Sequence, residues 1–257
     1  MIYGLYISAS GAAVNMARMD VYSNNLSNVS TVGFKPDYLA VRQRDVVRKE
    51  DNLPFADSNA LLERLGAGVQ PMPTRVQHEQ GVFEETGNQL DLALRGDGFF
   101  AVRRGDGPDG IHLTRDGRFT LDADGRLVTV TEGAAVLDDG DGEIELDVTL
   151  PVNIRADGLI TQNGEEVAQL AVLTVPNADR LIKAGAGALR GENGEVSRAR
   201  RADADVLQGS VEQSATDAVR ALMGATSAAR GAQGNLGIMG MFNEIMDRAV
   251  NTLGRVS

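Results

Sequence analysis

The chain has 257 residues, a formal net charge of −11, 42% hydrophobic residues, 4% aromatics, and neither Cys nor Trp. Without Cys there is no disulfide, thiolate metal site or thiol nucleophile, and an acidic chain this poor in rings offers no surface suited to nucleic acid. No uncharged apolar window reaches the about 18 residues of a membrane-spanning helix, so no membrane insertion is expected. Residues 1–50 carry +2 and residues 211–257 carry 0, which leaves −13 for the chain between them.

The first element is a helix. Ile2, Leu5, Ala9, Ala12, Met16, Met19, Ser23 and Leu26 alternate by three and four, the a/d spacing of a coiled-coil seam. The seam continues past Arg18, and no basic stretch precedes it, so a cleaved signal peptide is not expected. Crowded Asn, Ser and Thr side chains from Ser23 to Thr31 favour a helix end near Val29. Gly33 suits a left-handed closing residue with Phe34 as its apolar contact, and Lys35-Pro36 forces extension. The run SNNLSNVSTVGFK, residues 23–35, resembles the Asn-rich signature near the start of flagellar rod, hook and hook-associated proteins. Met19-Asp20-Val21 ahead of it is similar to the distal rod member, with the proximal rod protein as the near alternative.

Residues 36–85 read as an extended linker with a small basic run (Arg42, Arg44, Arg48, Lys49), prolines at 54, 71 and 73, and one helical turn at Leu61–Leu65. The resemblance implies that this segment lies between neighbouring subunits. From Thr86 the apolar period becomes two: Leu90, Leu92 and Leu94 alternate, as do Ile144, Leu146, Val148 and Leu150. Asp-Gly pairs begin at Asp97, Asp106, Asp109, Asp116, Asp124, Asp139, Asp141 and Asp157, and Asn163-Gly164 and Asn193-Gly194 add two more turn signals. No helical pattern alternates with these strands, so residues 86–205 form an antiparallel β domain, with 86–175 expected to fold alone and 176–205 serving as a loop-rich return. TGNQLDLALRGDGFFAV and HLTRDGRFTLDADGRLVT are similar to runs that open the β domain of rod and hook proteins.

Residues 206–257 read as the C-terminal helix. Its seam is Val211, Ala215, Ala218, Leu222, Ala225, Ala229, Ala232, Leu236, Met239, Asn243, Met246, Val250 and Leu253, and this is the partner for the first helix. The lead-in LQGSVEQS resembles the family, but Ala215, Ala229, Ala232 and Gln233 stand where it has Asn, Gln, Tyr and Glu. Gly224, Gly231, Gly234, Gly237 and Gly240 each cost about 0.8–1 kcal/mol relative to Ala in a helix interior.

The fold class is therefore α+β: terminal helices forming a coiled-coil-like region (1–35 and 206–257), a linker (36–85) and a central antiparallel β domain (86–205). No catalytic, cofactor or metal site is expected. Gly96-Asp97-Gly98 lacks phosphate-loop spacing, the Asp cluster at 122–141 lacks the register of an EF-hand, and His78 and His112 stand apart. Arg95-Gly96-Asp97 and Arg104-Gly105-Asp106 spell an adhesion tripeptide, but three residues recur easily by chance and no adhesion role is expected from them. The resemblance implies a non-enzymatic structural subunit of the flagellar basal-body rod. Such a subunit self-associates in a helical polymer, meets other rod and hook proteins and the flagellar export apparatus, and is exported without a cleaved signal. The assembly interface is expected at Leu5, Met16, Asn24, Asn25, Leu26, Asn28, Gly33, Phe34, Leu222, Ala229, Leu236, Met239 and Met246. The competing class is a secreted β-rich binding or adhesion module on a helical stalk.

Overall fold

The computed structural model describes residues 2–46, 49, 66–105, 110–191, 196 and 199–253. The helical turn expected at 61–65, Pro54 and the turns at Asp106, Asp109 and Asn193 lie outside these residues. The chain forms two compact units, one of Met1–Leu26, Asp37–Thr74 and Asp217–Ser257, the other of Ser27–Pro36 and Arg75–Thr216.

The first unit is built on two long helices, α1 (Ile2–Ser27) and α2 (Ala218–Leu253). They interlock through their glycines. A Cβ placed on Gly4 would stand 2.6 Å from the Phe242 ring, and one on Gly11 2.8 Å from the Asn235 amide. In the reverse sense, a Cβ on Gly231 would meet the Asn15 amide at 2.8 Å and one on Gly224 the Tyr22 ring at 2.7 Å. The steps 4, 11, 15, 22 along α1 run against 242, 235, 231, 224 along α2, so the helices are antiparallel and in strict register. Every contact falls one residue before the apolar stripe read from sequence: 5, 12, 16 and 23 on α1, and 225, 232, 236 and 243 on α2. One residue is about 100° of rotation. The helices meet along their glycine lines because a missing Cβ admits the closest approach; of the apolar stripes, Ala12 and Ala232 are buried, while Met16, Leu222, Leu236 and Met246 stay exposed. Two of the five glycines that weaken α2 on propensity alone, Gly224 and Gly231, are thus seats for large side chains.

Asp217 caps α2: its carboxylate accepts the Arg220 N–H at 3.0 Å and its carbonyl the Ala221 N–H at 2.9 Å. The helix consequently starts at Ala218, and the residues just before it are extended. Beside the helices, β1 (Asp37–Gln43) and β2 (Val69–Val76) form a two-stranded sheet. Pro71 and Pro73 occupy alternate positions of β2, so their missing N–H groups fall on one edge and leave the other whole for β1.

The second unit is all antiparallel β. Its short strands are β3 (Phe83–Glu85), β4 (Leu92–Arg95), β5 (Phe99–Arg103), β6 (Ile111–Thr114), β7 (Phe119–Leu121), β8 (Leu127–Thr129) and β9 (Ala135–Val136). There follow β10 (Val152–Ile154), β11 (Leu159–Gln162), β12 (Glu165–Gln169), β13 (Val172–Thr174), β14 (Ile182–Gly185), β15 (Ala188–Arg190), β16 (Arg200–Arg201), β17 (Asp205–Gln208) and β18 (Ser210–Glu212). The main sheet runs β14-β15-β6-β5-β9-β8-β7, with β13 joining β5 to β16, and β10-β11-β12 form a separate meander. The β11–β12 turn is Asn163-Gly164, with φ of 52° and 85°, the paired positive values of a type I′ hairpin. The core gathers Leu92, Leu94, Phe100, Phe119, Leu127, Ile144, Ile160 and Leu170, with Phe100 and Phe119 edge to face at 5.2 Å. The unit is closed by strands late in the chain: β17 pairs with β4 in register Asp205–Arg95 to Gln208–Leu92, and β18 with β3. Residues 86–175 therefore lack their closing partners, and the return path at 176–205 contributes β14, β15 and β16 rather than loop alone.

Candidate assembly region

The Asn-rich run divides into a part that holds the first unit together and a part buried in the second. In the first, the Asn25 amide grips the backbone of Asp37, donating to its carbonyl at 2.7 Å and accepting its N–H at 2.9 Å. Asn25 is 5% exposed, Asn24 is exposed, and Leu26 and Asn28 are half-buried. An Asn is suited to this place because one amide supplies donor and acceptor together.

In the second unit, Val32, Gly33, Phe34, Lys35 and Pro36 are all buried. Gly33 has φ +67°, and a Cβ there would stand 2.3 Å from the Arg115 carbonyl carbon and 2.4 Å from the Asp116 nitrogen. Its N–H donates to the Glu212 carbonyl at 2.7 Å, and the Ala215 N–H donates to the Phe34 carbonyl at 3.1 Å. The Lys183 ammonium lies 3.8 Å from the centre of the Phe34 ring. Thus the end of the N-terminal motif and the chain leading to α2 are bound side by side.

At the centre of this junction is a buried ion triad. The Glu212 carboxylate accepts from Lys35 Nζ at 2.6 Å and from Arg115 at 2.9 Å, with exposures of 1%, 3% and 5% for the three side chains. Glu212 also accepts the Gly81 N–H at 2.7 Å. Two cations face one carboxylate, and main-chain carbonyls take up the excess: Glu79 from Lys35, and Gly98, Leu94 and Gly96 from Arg115. Burial pushes the Lys35 pKa down, and the neighbouring Glu212 pulls against that shift. Removing one partner from such a group leaves a buried charge uncompensated.

His78 borders the same region, edge-on to Phe99 at 5.4 Å. Its Nε2 lies 2.8 Å from the Ala178 carbonyl, so the hydrogen sits there, while Nδ1 is buried with no partner among the described residues. Burial, first of all, and then the positive Lys35 and Arg115 push its pKa below the ordinary 6.5. The unfolded chain then takes up this proton more readily than the fold, so His78 lowers stability as pH falls below about 6.5 and has no such effect above it. The thermal midpoint should accordingly drop between pH 7 and pH 5, and His78→Gln should flatten that dependence. An unchanged slope in the variant would show that His78 is solvated.

The expected interface residues do not form one patch. Gly33, Phe34 and Asn25 are occupied within the chain. Leu5, Ala229 and Met239 are half-buried, whereas Met16, Leu222, Leu236 and Met246 are 51%, 53%, 51% and 39% exposed. Sequence reasoning missed Glu212 and Arg115. Glu212 sits between two members of the apolar stripe, Val211 and Ala215, and its only signal is that a charge there interrupts a run otherwise suited to burial. Among the described residues no cluster of His, Asp or Glu is arranged to hold a metal ion, and no helix is long and apolar enough to cross a membrane.

Residues 93–178 match the family model of the flagellar hook protein FlgE/F/G D1 domain, and residues 5–35 that of the flagella basal body rod protein. The chain is 30% identical over 254 residues to the flagellar basal-body rod protein FlgF of Caulobacter vibrioides, covering 98% of each. It is 28% identical over 256 residues to FlgF of Mesorhizobium japonicum, again 98% of each. It is 30% identical over 270 residues to the rod protein FlgG of Bacillus subtilis, covering 98% of the chain and 99% of the relative. The first model covers β4 to β13 and the second the first helix with its Asn-rich end, whose Gly33 and Lys35 are bound within the second unit. Nothing in these likenesses supports a binding or adhesion module on a stalk. The chain belongs to the family of flagellar basal-body rod proteins, structural components of the flagellum rather than enzymes.

Proposed function

We propose that this chain polymerises through its paired terminal helices into the axial rod of the basal body, meeting its own copies and other rod and hook proteins. The single observation that carries this reading is the rotated seam. The helices pair along glycine lines, so that Ala12 and Ala232 of the apolar stripe are buried while its large members Met16, Leu222, Leu236 and Met246 are left exposed. A soluble helix ordinarily presents charge there. Contacts between unlike faces of identical copies build an open helical filament, and a shaft that transmits torque requires many such contacts and no catalytic group. Passage through the flagellar export apparatus with the first residues retained belongs to the same reading, since α1 supplies half of the pair.

Leu222→Asp tests it. The side chain is 53% exposed, so the substitution should leave circular dichroism and thermal unfolding of the purified chain unchanged. In the filament it would bury an unpaired carboxylate, at a cost of several kcal/mol. Recovery of the variant in isolated basal bodies should fall at least tenfold, with loss of swimming. Normal incorporation would remove the apolar stripe from the assembly interface.

A further inference from the structure

The second unit gathers basic side chains in a way that its own fold does not require. An open hollow of about 480 Å³ is walled by Arg104, His112, Lys183, Ala184 and Arg190. Four adjacent strands of the main sheet, β14-β15-β6-β5, bring one basic group each, with Arg104 just past the end of β5. Continuing the register Ala188–Thr114 and Leu189–Leu113 sets Arg190 across from His112. Val102 stands opposite His112 on the other side, which puts Arg104 on the diagonal. Two guanidinium groups thus flank one imidazole, and like charges so placed weaken a sheet. Arg104 is held by Glu132 and by the Ala184 carbonyl, each at 2.8 Å, and Lys183 covers the Phe34 ring. Arg190 is exposed and has no ion-pair partner among the described residues. A chain of net charge −11 keeps this patch positive, and local rules are broken in this way where a surface has a task.

Four strands spread the basic groups over about 14 Å, too far for one small anion to meet them all. An extended segment with acids at alternate residues, about 7 Å apart, has the right reach. The same unit presents one. In the run Glu143-Ile144-Glu145-Leu146-Asp147, Ile144 and Leu146 are 1% and 5% exposed, and all three acids are exposed. The run lies against β8 and β9: the Leu127 N–H donates to the Ile144 carbonyl at 2.8 Å, and the Ile144 N–H to the Val136 carbonyl at 3.4 Å. In strand order that is toward the end of the sheet away from β14. Arg126 alone serves Asp122, Asp124 and Glu143, and Glu145 has no ion-pair partner among the described residues. We propose that the hollow at Arg104, Lys183 and Arg190 of one copy receives the Glu143, Glu145 and Asp147 ladder of a second copy. The inference rests on the polymer reading above and adds a contact between second units that uses neither helix. Hollow and ladder are unlike patches of one unit, so the contact is head to tail and repeats. It joins surfaces of opposite sign in a chain whose copies otherwise repel, and it weakens as salt rises.

Charge reversal in the full-length chain tests it. Arg190 and Glu145 are exposed, so Arg190→Glu and Glu145→Arg should leave the unfolding temperature of the free chain unchanged. Each alone should lower recovery of the chain in isolated basal bodies at least fivefold, and the two together should restore at least half of it. Wild-type recovery of either single variant, or a double variant no better than the weaker single one, would overturn the proposal. A second measurement needs no substitution. The chain has three lysines, at 35, 49 and 183, and a carbodiimide joins an amine to a carboxylate only where the two touch. Isotope-labelled and unlabelled copies are mixed so that links between copies are told from those within one. Treated basal bodies should yield Lys183 of one copy joined to residue 143, 145 or 147 of another. Lys183 joined only within its own copy, joined to a different axial protein, or left unjoined would each overturn the contact. Absence of the unsubstituted chain from basal bodies would instead defeat the rod reading itself, a result separable from the others.

Discussion

Glu212→Gln is expected to destabilise the second unit by about 3–5 kcal/mol, the scale found when one partner is taken from a buried ion pair. The amide keeps the shape of the carboxylate, so packing is preserved. What changes is that Lys35 and Arg115, 3% and 5% exposed, face each other with no anion between them. A typical domain is stable by about 5–15 kcal/mol, so this one atom exchange removes a large share. Urea unfolding followed by far-ultraviolet circular dichroism measures it: the midpoint should fall steeply while the dependence on denaturant keeps its slope. Lys35→Met should cost less, because Glu212 then retains Arg115 and the Gly81 N–H. A loss below about 1 kcal/mol for Glu212→Gln, the range of an exposed pair, would mean that water reaches the triad.

Gly33→Ala should be comparably damaging for a different reason. At φ +67° a side chain costs about 1–2 kcal/mol in any surroundings. Here the added methyl would also stand 2.3 Å from main-chain carbon at Arg115, and backbone cannot swing aside as a side chain can. The segment must lift, and the Gly33 N–H to Glu212 carbonyl bond goes with it. Gly87→Ala supplies the control, since φ is +74° and no atom stands within 4 Å of its Cβ. The control should lose about 1–2 kcal/mol, and Gly33→Ala at least about twice that in the same urea experiment, together with incorporation into basal bodies. Equal losses would show that the Arg115 backbone yields and that conformation alone fixes the residue as glycine.

These two glycines show what the sequence carried and what it withheld. That Gly33 closes a helix end could be read from its neighbours, because Asn-rich turns and a following Phe are local signals. That it touches Arg115 could not, because that contact joins segments more than eighty residues apart. The same division holds through the fold. The α+β layout, the antiparallel middle and the two terminal helices follow from periodicity and turn pairs. The closing strands β17 and β18 were absorbed into the C-terminal helix, because Val211 and Ala215 happen to fit its heptad. The stripe read from periodicity holds part of the contact, at Ala12 and Ala232, and misses the rest for one physical reason: an apolar pattern marks a face that avoids water, whereas the closest contacts here set a glycine against a ring or an amide. Of the candidate interface, the exposed Met16, Leu222, Leu236 and Met246 belong to that apolar face, while the Asn25 grip on Asp37 and the Glu212 triad depend on partners that no local pattern points to.

The register of the helix pair also sets a clock. Gly4 and Phe242 are among the most widely separated contacts in the chain, and the partners of all four α1 contact residues, 4, 11, 15 and 22, lie on α2. At a synthesis rate of about 5–20 residues per second, α1 waits roughly 10–50 s before α2 exists. A chain broken off before Gly224 can complete its core strands and even its ion triad, yet it has no seat for any side chain of α1. Pair closure therefore waits until residues 224–242 have been made.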